Sequence, residues 1–517
     1  MTRAVARDAG TVTSWNLVSR VTGFARVVVV GGALGATRLG DTYQAANQVS
    51  NILFEFLAAG TLSAVLVPGL VARLTDGRAR AEQFAGALLA RAIAVLGVIA
   101  MVGMVLARPI MRALLSGNDT ASRAAQVRLG AFLLLFVLPQ LVLYAWGAVV
   151  TAMLHSEGRF AAAAAAPVAN NVVVIVTLGL FWARGATGLH LPVTDKVLLG
   201  AGVLGGVACM TMVPVLAARR AGIALVPRWH GDDALAASLR DALWASLVVI
   251  PAQLFLLGSL VVAGNVGGGV VACQIGFTLF LLPHALLGHP LATVLYPRVA
   301  RAWAERDESA ARRDADRGLR LLLLLSAPAA ALLVALASPI TRVIAVGALA
   351  HHTGPVVVAA ALTGYGIGLT AYSWSLFTTR VSYATGDVRT PGVAALVGGV
   401  VGAASLLAAA NSGGTALLYR VGLAHSAMVA TATAGVVGVL IRRRVMDLDV
   451  ARWAGVAVAA AAAGIAARVV ADRIDVASGR LGAAAALVAG ALAGMLVFAA
   501  VAGVTGNRLA DVRAELR

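Results

Sequence analysis

The chain has 517 residues, of which 60% are hydrophobic and 12% charged, with a mean hydropathy of +0.89. Apolar runs near 20 residues recur from end to end, which excludes a soluble protein of this length. The net charge of +18 falls between these runs, where basic residues hold loops in the cytoplasm, and no basic soluble domain is present to bind nucleic acid.

The apolar segments are continuous rather than alternating over about ten residues, so a transmembrane β-barrel is also excluded. The expected fold class is an all-α polytopic membrane protein with about 14 transmembrane helices. The spans are read at 14–36, 46–72, 84–107, 128–154, 161–183, 197–218, 240–263, 269–296, 320–349, 355–380, 391–411, 415–440, 452–471 and 482–503. The first stretch, with a short basic leader and arginines inside a full-length span, does not read as a cleavable signal.

Counting loops alternately places both termini in the cytoplasm. Arg73, Arg78 and Arg80, then Arg219, Arg220 and Arg228, then the 298–320 segment, and Arg442, Arg443 and Arg444 fall inside. Arg108, Arg112, Arg123 and Arg128 depart from this scheme, as do Arg468, Arg473 and Arg480. The 298–320 run alternates acids and bases at helical spacing and reads as an amphipathic connector.

Residues 14–73 carry the most unusual chemistry. Arg20 and Arg26 stand inside an otherwise apolar helix, a loop with Asp41 follows, and a second apolar helix carries Asn51 and Glu55 and ends at Pro68. Charge in a span is costly and faces a water-filled cavity or a partner, so these groups are expected to line a transport cavity for an anionic substrate. Arg20 and Arg26 lie roughly 240° apart round a helix, and snorkelling to an interface is the rival reading for Arg20. Guanidinium suits phosphate and carboxylate because it stays charged and binds them bidentately. Glu55 could pair with Arg26, tune the cavity's charge or carry a proton. Asp41 either caps the second helix or joins an external gate. Asn51, Asn170 and Asn171 are polar groups suited to interhelical hydrogen bonds or substrate contact. Arg380 ends a span, as an interface anchor or a further substrate contact. Pro139, Pro167, Pro251 and Pro283 are expected to kink helices.

The chain repeats internally. AVLVPGLVAR, ending at Arg73, resembles TVLYPRVAR, ending at Arg301, with Pro68 and Pro297 about 229 residues apart. The same offset pairs Gly158 with Asp387 in two similar helix-to-helix turns. An offset spanning an even number of helices predicts two six-helix lobes, 1–222 and 223–446, related by a pseudo-two-fold axis along the membrane normal, with 447–517 as an accessory helix pair.

No enzyme constellation is visible: there is no phosphate-binding loop, no HExxH and no paired catalytic carboxylates. Cys209 and Cys273 are far apart, and the eight histidines are scattered, with His351 and His352 adjacent in a loop. No metal, disulfide or cofactor is expected.

The stretch SRVTGFARVVVVGGALGATRLGDTYQAANQVSNILFEFLAAGTLSAVLVP resembles the opening of the lipid II flippase family (MurJ, also called MviN). Further matching stretches are GRF…PVANN at 158–171, LLPHALLGHPLATVLYPRVAR at 281–301, RVSYATGDVRTP at 380–391 and GLAHS at 422–426. The resemblance implies a fourteen-helix member of the multidrug/oligosaccharidyl-lipid/polysaccharide exporter superfamily in the bacterial plasma membrane. It implies transport of the undecaprenyl-pyrophosphate-linked peptidoglycan precursor from the inner to the outer leaflet, with membrane lipids and cell-wall synthesis proteins as neighbours. Arg20, Arg26 and Asp41 match the family's functional arginine pair and first-loop aspartate. The chain departs at Phe54 and Glu55, where better-known members carry arginines, at Ala59, where they carry glutamate, and at Thr278, where they carry arginine. Some members hold sodium in the second half on acids and amides, for which Asp387 is the one candidate here.

A flippase for lipid II is therefore the leading expectation. The rivals are a flippase for another polyprenyl-linked oligosaccharide, a drug/cation antiporter, which needs an acidic cavity, and a non-transporting scaffold for wall synthesis.

Overall fold

The computed structural model describes residues 3–57, 70, 73–74, 77–118, 120–223, 225–229, 234–351, 353–447, 450–474 and 479–505, with side chains for all but 3–9, 56–57 and 234–247. Pro68, Ala59 and His352, and most of the second half of the predicted 46–72 span, lie outside the described residues.

Every regular element among the described residues is helical. The chain divides into two compact units, Met1–Gln253 with Val346–Leu349, and Leu254–Ala345 with Ala350–Arg517. Unit 1 holds α1 (Arg3–Leu34), α2 (Arg38–Leu57), α3 (Arg78–Val105), α4 (Ala107–Leu114), α5 (Thr120–Val137), α6 (Gln140–Ser156), α7 (Ala161–Ala183) and α8 (Val193–Arg220). The division falls within α9 (Ala234–Ala263). Unit 2 then holds α10 (Gly269–Pro283), a π-helical turn (His284–Gly288), α11 (His289–Ala304), α12 (Glu308–Ala335), α13 (Ala337–Ile344), α14 (Gly354–Ile367), α15 (Leu369–Ala384), α16 (Arg389–Ala409), α17 (Gly414–Arg442), α18 (Val450–Arg473) and α19 (Arg480–Val504).

Eleven helices among the described residues are long and apolar enough to cross a membrane, or twelve if α14 and α15, bent by 45°, form one span. The protein is a multi-pass helical membrane protein. In unit 1, α1 packs on α7, α7 and α6 pack on α8, and α2 packs on α5. Its core gathers Phe84, Leu89, Val149, Met153 and Val215. In unit 2, α17 is flanked by α14, α15 and α16, and α12 packs against α11, α15 and α18. Leu319, Leu322, Phe377, Val381 and Leu440 form its main core. The last two helices belong to this unit: Ala459, Ala463 and Phe498 bury against Leu323 and Leu324 of α12.

Small residues set the closest crossings. A Cβ on Gly422 of α17 would come within 2.7 Å of the Ala361 carbonyl oxygen of α14, and one on Gly364 within 2.2 Å of the Tyr419 carbonyl oxygen. Backbones approach this closely only where both helices present glycine.

A bend of 45° lies at a glycine, Gly368, between α14 and α15. At Gly368 the N–H bonds the Tyr365 carbonyl at 3.0 Å, three residues back, which leaves the Gly364 carbonyl without its usual donor. The Ser426 hydroxyl of α17 donates to that carbonyl at 2.8 Å. Pro167 and Pro251 lie inside α7 and α9, Pro139 stands at the start of α6, and Pro283 leads into the π-helical turn.

The two helix-to-helix turns paired above close alike. The α6–α7 turn closes with Gly158 N–H to the His155 carbonyl and Arg159 N–H to Leu154; the α15–α16 turn closes with Gly386 to Tyr383 and Asp387 to Ser382. Both glycines adopt positive φ, 76° and 78°, as the residue after a helix end does when it must turn left-handed. The same closure recurs after α8 at Gly222, after α11 at Arg306 and after α17 at Arg444, so it is a common helix ending and does not fix which residues of the two turns pair. A second pair had gone unread: ARPIMRAL in α4 and ASPITRVI in α13, each a short helix following a break at a leucine, Leu106 or Leu336.

The 298–320 run is no single connector helix. It ends α11, turns at Arg306, whose φ is 61°, and starts α12, where the Asp307 side chain accepts from the Ala310 N–H at 2.9 Å. Part of the arginine-rich 108–128 region is locally satisfied: the Arg123 guanidinium donates to the Ser116 carbonyl and, at 2.7 Å, to the Asn118 carbonyl.

Candidate functional site

The site begins with how α1 is held. Asn171 of α7 donates through Nδ2 to the Thr22 hydroxyl at 3.1 Å and to the Ser19 carbonyl at 3.4 Å. Gly23 lets the two helices meet, since a Cβ there would touch Asn171 Nδ2 at 3.6 Å. Ser19, Thr22, Gly23 and Arg26 are spaced i, i+3, i+4 and i+7 and share one stripe of α1. Arg26 therefore turns to the side that α7 covers and is half-buried, whereas Arg20, one residue off that stripe, is exposed. The two arginines thus differ in setting, as their angular separation predicted.

Arg26 acts electrostatically on Tyr43 of α2 and Tyr144 of α6. Tyr144 ties these elements together: its hydroxyl donates to Asn51 Oδ1 at 3.3 Å, and its ring lies 4.9 Å from that of Phe54. Asn51 in turn donates to Gln48 Oε1 at 2.9 Å. Below these groups a cavity of about 400 Å³ opens among α2, α6, α7 and α8. Asn51, Phe54, Glu55, Tyr144, Thr151 and Thr211 are among its lining residues. Its helix-breaking wall residues are Pro167 and Pro214, and the Thr211 hydroxyl satisfies the Leu143 carbonyl at 3.1 Å. The result is a mostly apolar chamber with an amide, three hydroxyls and one carboxylate on its walls and a guanidinium within electrostatic reach of its tyrosine. Such a chamber suits an amphiphile with a polar, hydrogen-bonding head.

Asp41 stands apart. It lies fully buried in the first turn of α2, ten residues before Asn51, or about 15 Å along the helix. The cap of α2 is Thr37, whose hydroxyl accepts from the Gly40 N–H at 3.2 Å, so Asp41 follows the cap. Nearby, buried Gln126 donates to the Arg38 carbonyl at 3.2 Å and accepts from Asn118 at 2.8 Å, a polar cluster at that end of α2. Asn171 serves the interhelical role, and Asn51 both bonds between helices and lines the cavity. Arg380 is half-buried in α15 of unit 2, one turn before its end, and belongs to a different unit from the cavity.

The arrangement of Asp387 does not suit a cation. Oδ1 accepts the N–H groups of Thr390 at 3.0 Å and Arg389 at 3.2 Å, and Oδ2 accepts the Thr390 hydroxyl at 2.6 Å and pairs with Arg443 at 3.0 Å. It caps α16 and ties it to the end of α17. Burial alone would raise its pKa, but the Thr390 hydroxyl and N–H, the Arg443 guanidinium and the Arg389 N–H together hold it below the ordinary carboxylate value. Thr278, where the family carries arginine, spends its hydroxyl on the Gln274 carbonyl of its own helix at 2.8 Å.

The sequence reading missed Tyr43, Tyr144 and Thr211. Tyr144 could have been found, because a tyrosine within an apolar span needs a partner for its hydroxyl. Nothing local to the sequence marks Tyr43 or Thr211.

Comparison with known proteins bears on the chain as a whole. A family model described as "Lipid II flippase MurJ" matches residues 30–497. The lipid II flippase MurJ of Burkholderia cenocepacia is 30% identical over 403 residues, covering 74% of this chain and 73% of that protein. A probable lipid II flippase MurJ of Vibrio cholerae is 27% identical over 407 residues, 75% of each chain. Among solved structures, a lipid II flippase MurJ in an inward closed conformation superposes with a TM-score of 0.76 at 16% identity, covering 95% of this chain and 98% of that one. An inward-facing multidrug transporter of the MATE family superposes at 0.64 with 14% identity, covering 84% and 98%. At these identities the structural matches speak to the fold alone.

Proposed function

The chain belongs to the lipid II flippase MurJ family, and from that premise we propose that it moves lipid II from the inner to the outer leaflet of the bacterial plasma membrane by alternating access. It is a transporter, not an enzyme. The observation that carries the assignment to a site is the unit 1 cavity, with Tyr144 bonded to Asn51 on its wall and half-buried Arg26 on α1, which packs on the α7 that lines it. In this reading Arg26 meets the pyrophosphate, Arg20 draws the headgroup in from its exposed position, and Asn51 and Tyr144 orient the sugars by hydrogen bonding. Glu55 stands one turn beyond Asn51 on α2 and sets the cavity's net charge. The polyprenyl tail stays in lipid. Asp41 acts at the other end of α2, as a gate rather than a contact, and Arg380 is a candidate substrate contact on α15 of unit 2.

The finer architecture is part of the same proposal. It has fourteen spans in two six-helix lobes, 1–222 and 223–446, an accessory pair at 447–517 and both termini cytoplasmic. The matching short helices α4 and α13 support a duplicated half.

A second reading, another polyprenyl-linked oligosaccharide as cargo, is favoured by one observation. The cavity wall presents Phe54 and Glu55, where the resemblance led us to expect arginines. Depleting the gene and identifying the lipid-linked intermediate that accumulates on the cytoplasmic side decides between the two. Accumulated lipid II supports the first reading; normal lipid II export with another glycan lipid retained supports the second. Normal export of every such lipid overturns both.

A further inference from the structure

Unit 2 contains an ionisable group that nothing above employs. His425 lies in the interior of α17, a full-length span, and is 7% exposed. Five aromatic rings surround it: Tyr365 and Phe277 at 5.3 Å between centroids, Phe280 at 5.6 Å, Phe255 at 5.9 Å and Tyr372 at 6.1 Å. Its Nδ1 has no hydrogen-bond partner. A buried polar atom without a partner is costly, and an ionisable side chain within a span points to function.

The surroundings connect this ring to a moving part. Tyr365 stands three residues before the Gly368 break and Tyr372 four after it, so the two halves of the broken span each place a tyrosine on the imidazole. The next residue of α17, Ser426, holds the break open through the Gly364 carbonyl. His284 reaches the same cluster from the π-helical turn, with its ring 4.8 Å from Tyr372 and its Nδ1 3.2 Å from the Ser373 hydroxyl. That turn closes through the His289 N–H on the His284 carbonyl. Such one-turn insertions are frequent at functional sites. His284 and Ser373 line a narrow cleft with Ser326, whose buried hydroxyl also lacks a partner.

We propose that His425 is a proton-binding site within the membrane, opposite the broken α14–α15 span, and that its proton is a coupling ion of transport. A proton passed from a hydronium ion is taken up by the free nitrogen lone pair of the imidazole, the N–H bond forming as the hydronium O–H bond breaks. No other bond forms or breaks, and the same proton leaves when the ring faces the other side. The aromatic walls stabilise the imidazolium by cation–π attraction, which a neutral ring does not receive. The added charge alters the fit of Tyr365 and Tyr372 and so biases the break between them.

No charged side chain acts on the ring among the described residues. From α14 and α15 the titratable groups that face it are Tyr365 and Tyr372. From α10 there is Cys273, hydrogen-bonded to Tyr365. The described part of α9 has no titratable group, and the charged residue of α16, Arg389, stands at its start. On α15, Arg380 and Tyr383 lie eight and eleven residues beyond Tyr372. On α17 itself, Arg420 is engaged with Ser412.

The inference rests on the flippase reading, and one experiment separates their failures. The full-length protein is reconstituted in vesicles with fluorescent lipid II, and flipping is measured with and without an imposed pH gradient at zero membrane potential. The wild type is expected to respond severalfold, up to about tenfold per pH unit for one proton. His425→Gln and His425→Phe, the latter filling the ring cage, are expected to lose the response. A wild type that flips without responding, or variants that keep the response, overturn the proposal and leave the flippase reading intact. If the wild type flips nothing, the flippase reading fails, and an NMR titration of isotopically labelled histidines tests the site alone. An imidazole signal that titrates in the wild type and is missing in His425→Gln supports it; its absence from the wild type between about pH 8 and about pH 4 overturns it.

Discussion

The Tyr144 hydroxyl donates to Asn51 Oδ1 at 3.3 Å, joining α6 to α2 at the head of the unit 1 cavity. This bond fixes the wall against which Arg26 acts. Tyr144→Phe removes the hydroxyl and keeps the ring against Phe54. The expected loss of stability is small, about 0.6 kcal/mol for an interhelical bond in a membrane. A larger fall in lipid II affinity, measured by binding to the purified protein, would mark the hydroxyl as a substrate contact; an unchanged affinity would confine it to holding the wall.

Arg26 and Arg20 are expected to separate in mutants. Arg26→Ala removes a charge-assisted contact worth about 2 kcal/mol, roughly thirtyfold in flipping rate, and fails to rescue a depleted strain. Arg20→Ala, at an exposed position, keeps most of the rate and slows capture at high salt less than the wild type, because its attraction is screened. Equal defects in the two variants would contradict the assigned roles.

Asp387 predicts a pH dependence of stability with a defined sign. Its folded pKa lies below the ordinary value, so its contribution is present above the unfolded pKa, near 4, and is lost as pH falls through the folded one. Thermal melts below about pH 4 are expected to show this loss in the wild type. Asp387→Ala removes the cap and the Arg443 pair at once, costing about 1–3 kcal/mol at neutral pH, and flattens the acid limb.

The glycine crossing of α14 and α17 leaves no room for a methyl group. Gly422→Ala is expected to destabilise by about 1–3 kcal/mol through overpacking, read as a lower melting temperature in detergent. Gly438→Ala, where a Cβ would meet nothing within 4 Å, is the matched control and is expected to be neutral.

The class of fold was legible because lipid demands long apolar helices and the chain supplies them in sequence. The exceptional setting of Arg26 was partly legible, since its angle to Arg20 already separated the two. Ser19, Thr22 and Gly23 explain which one turns inward, but only once Asn171 is known to face them. The break at Gly368 was illegible. Attention went to prolines, which break helices by their own chemistry, whereas this break depends on a serine 58 residues away in the chain, Ser426. His425 carried no signal either: a lone histidine in an apolar span becomes distinctive only when the five rings around it are assembled from four other helices.

The manner in which the α14–α15 span is broken has a consequence for how the protein can move. A proline forbids the missing hydrogen bond in every state. At Gly368 the N–H is present and the Gly364 carbonyl is merely occupied, so withdrawing Ser426 would let the two segments anneal into one straight rod. The span is a hinge whose latch is mounted on its neighbour, and any event that shifts α17 works the latch.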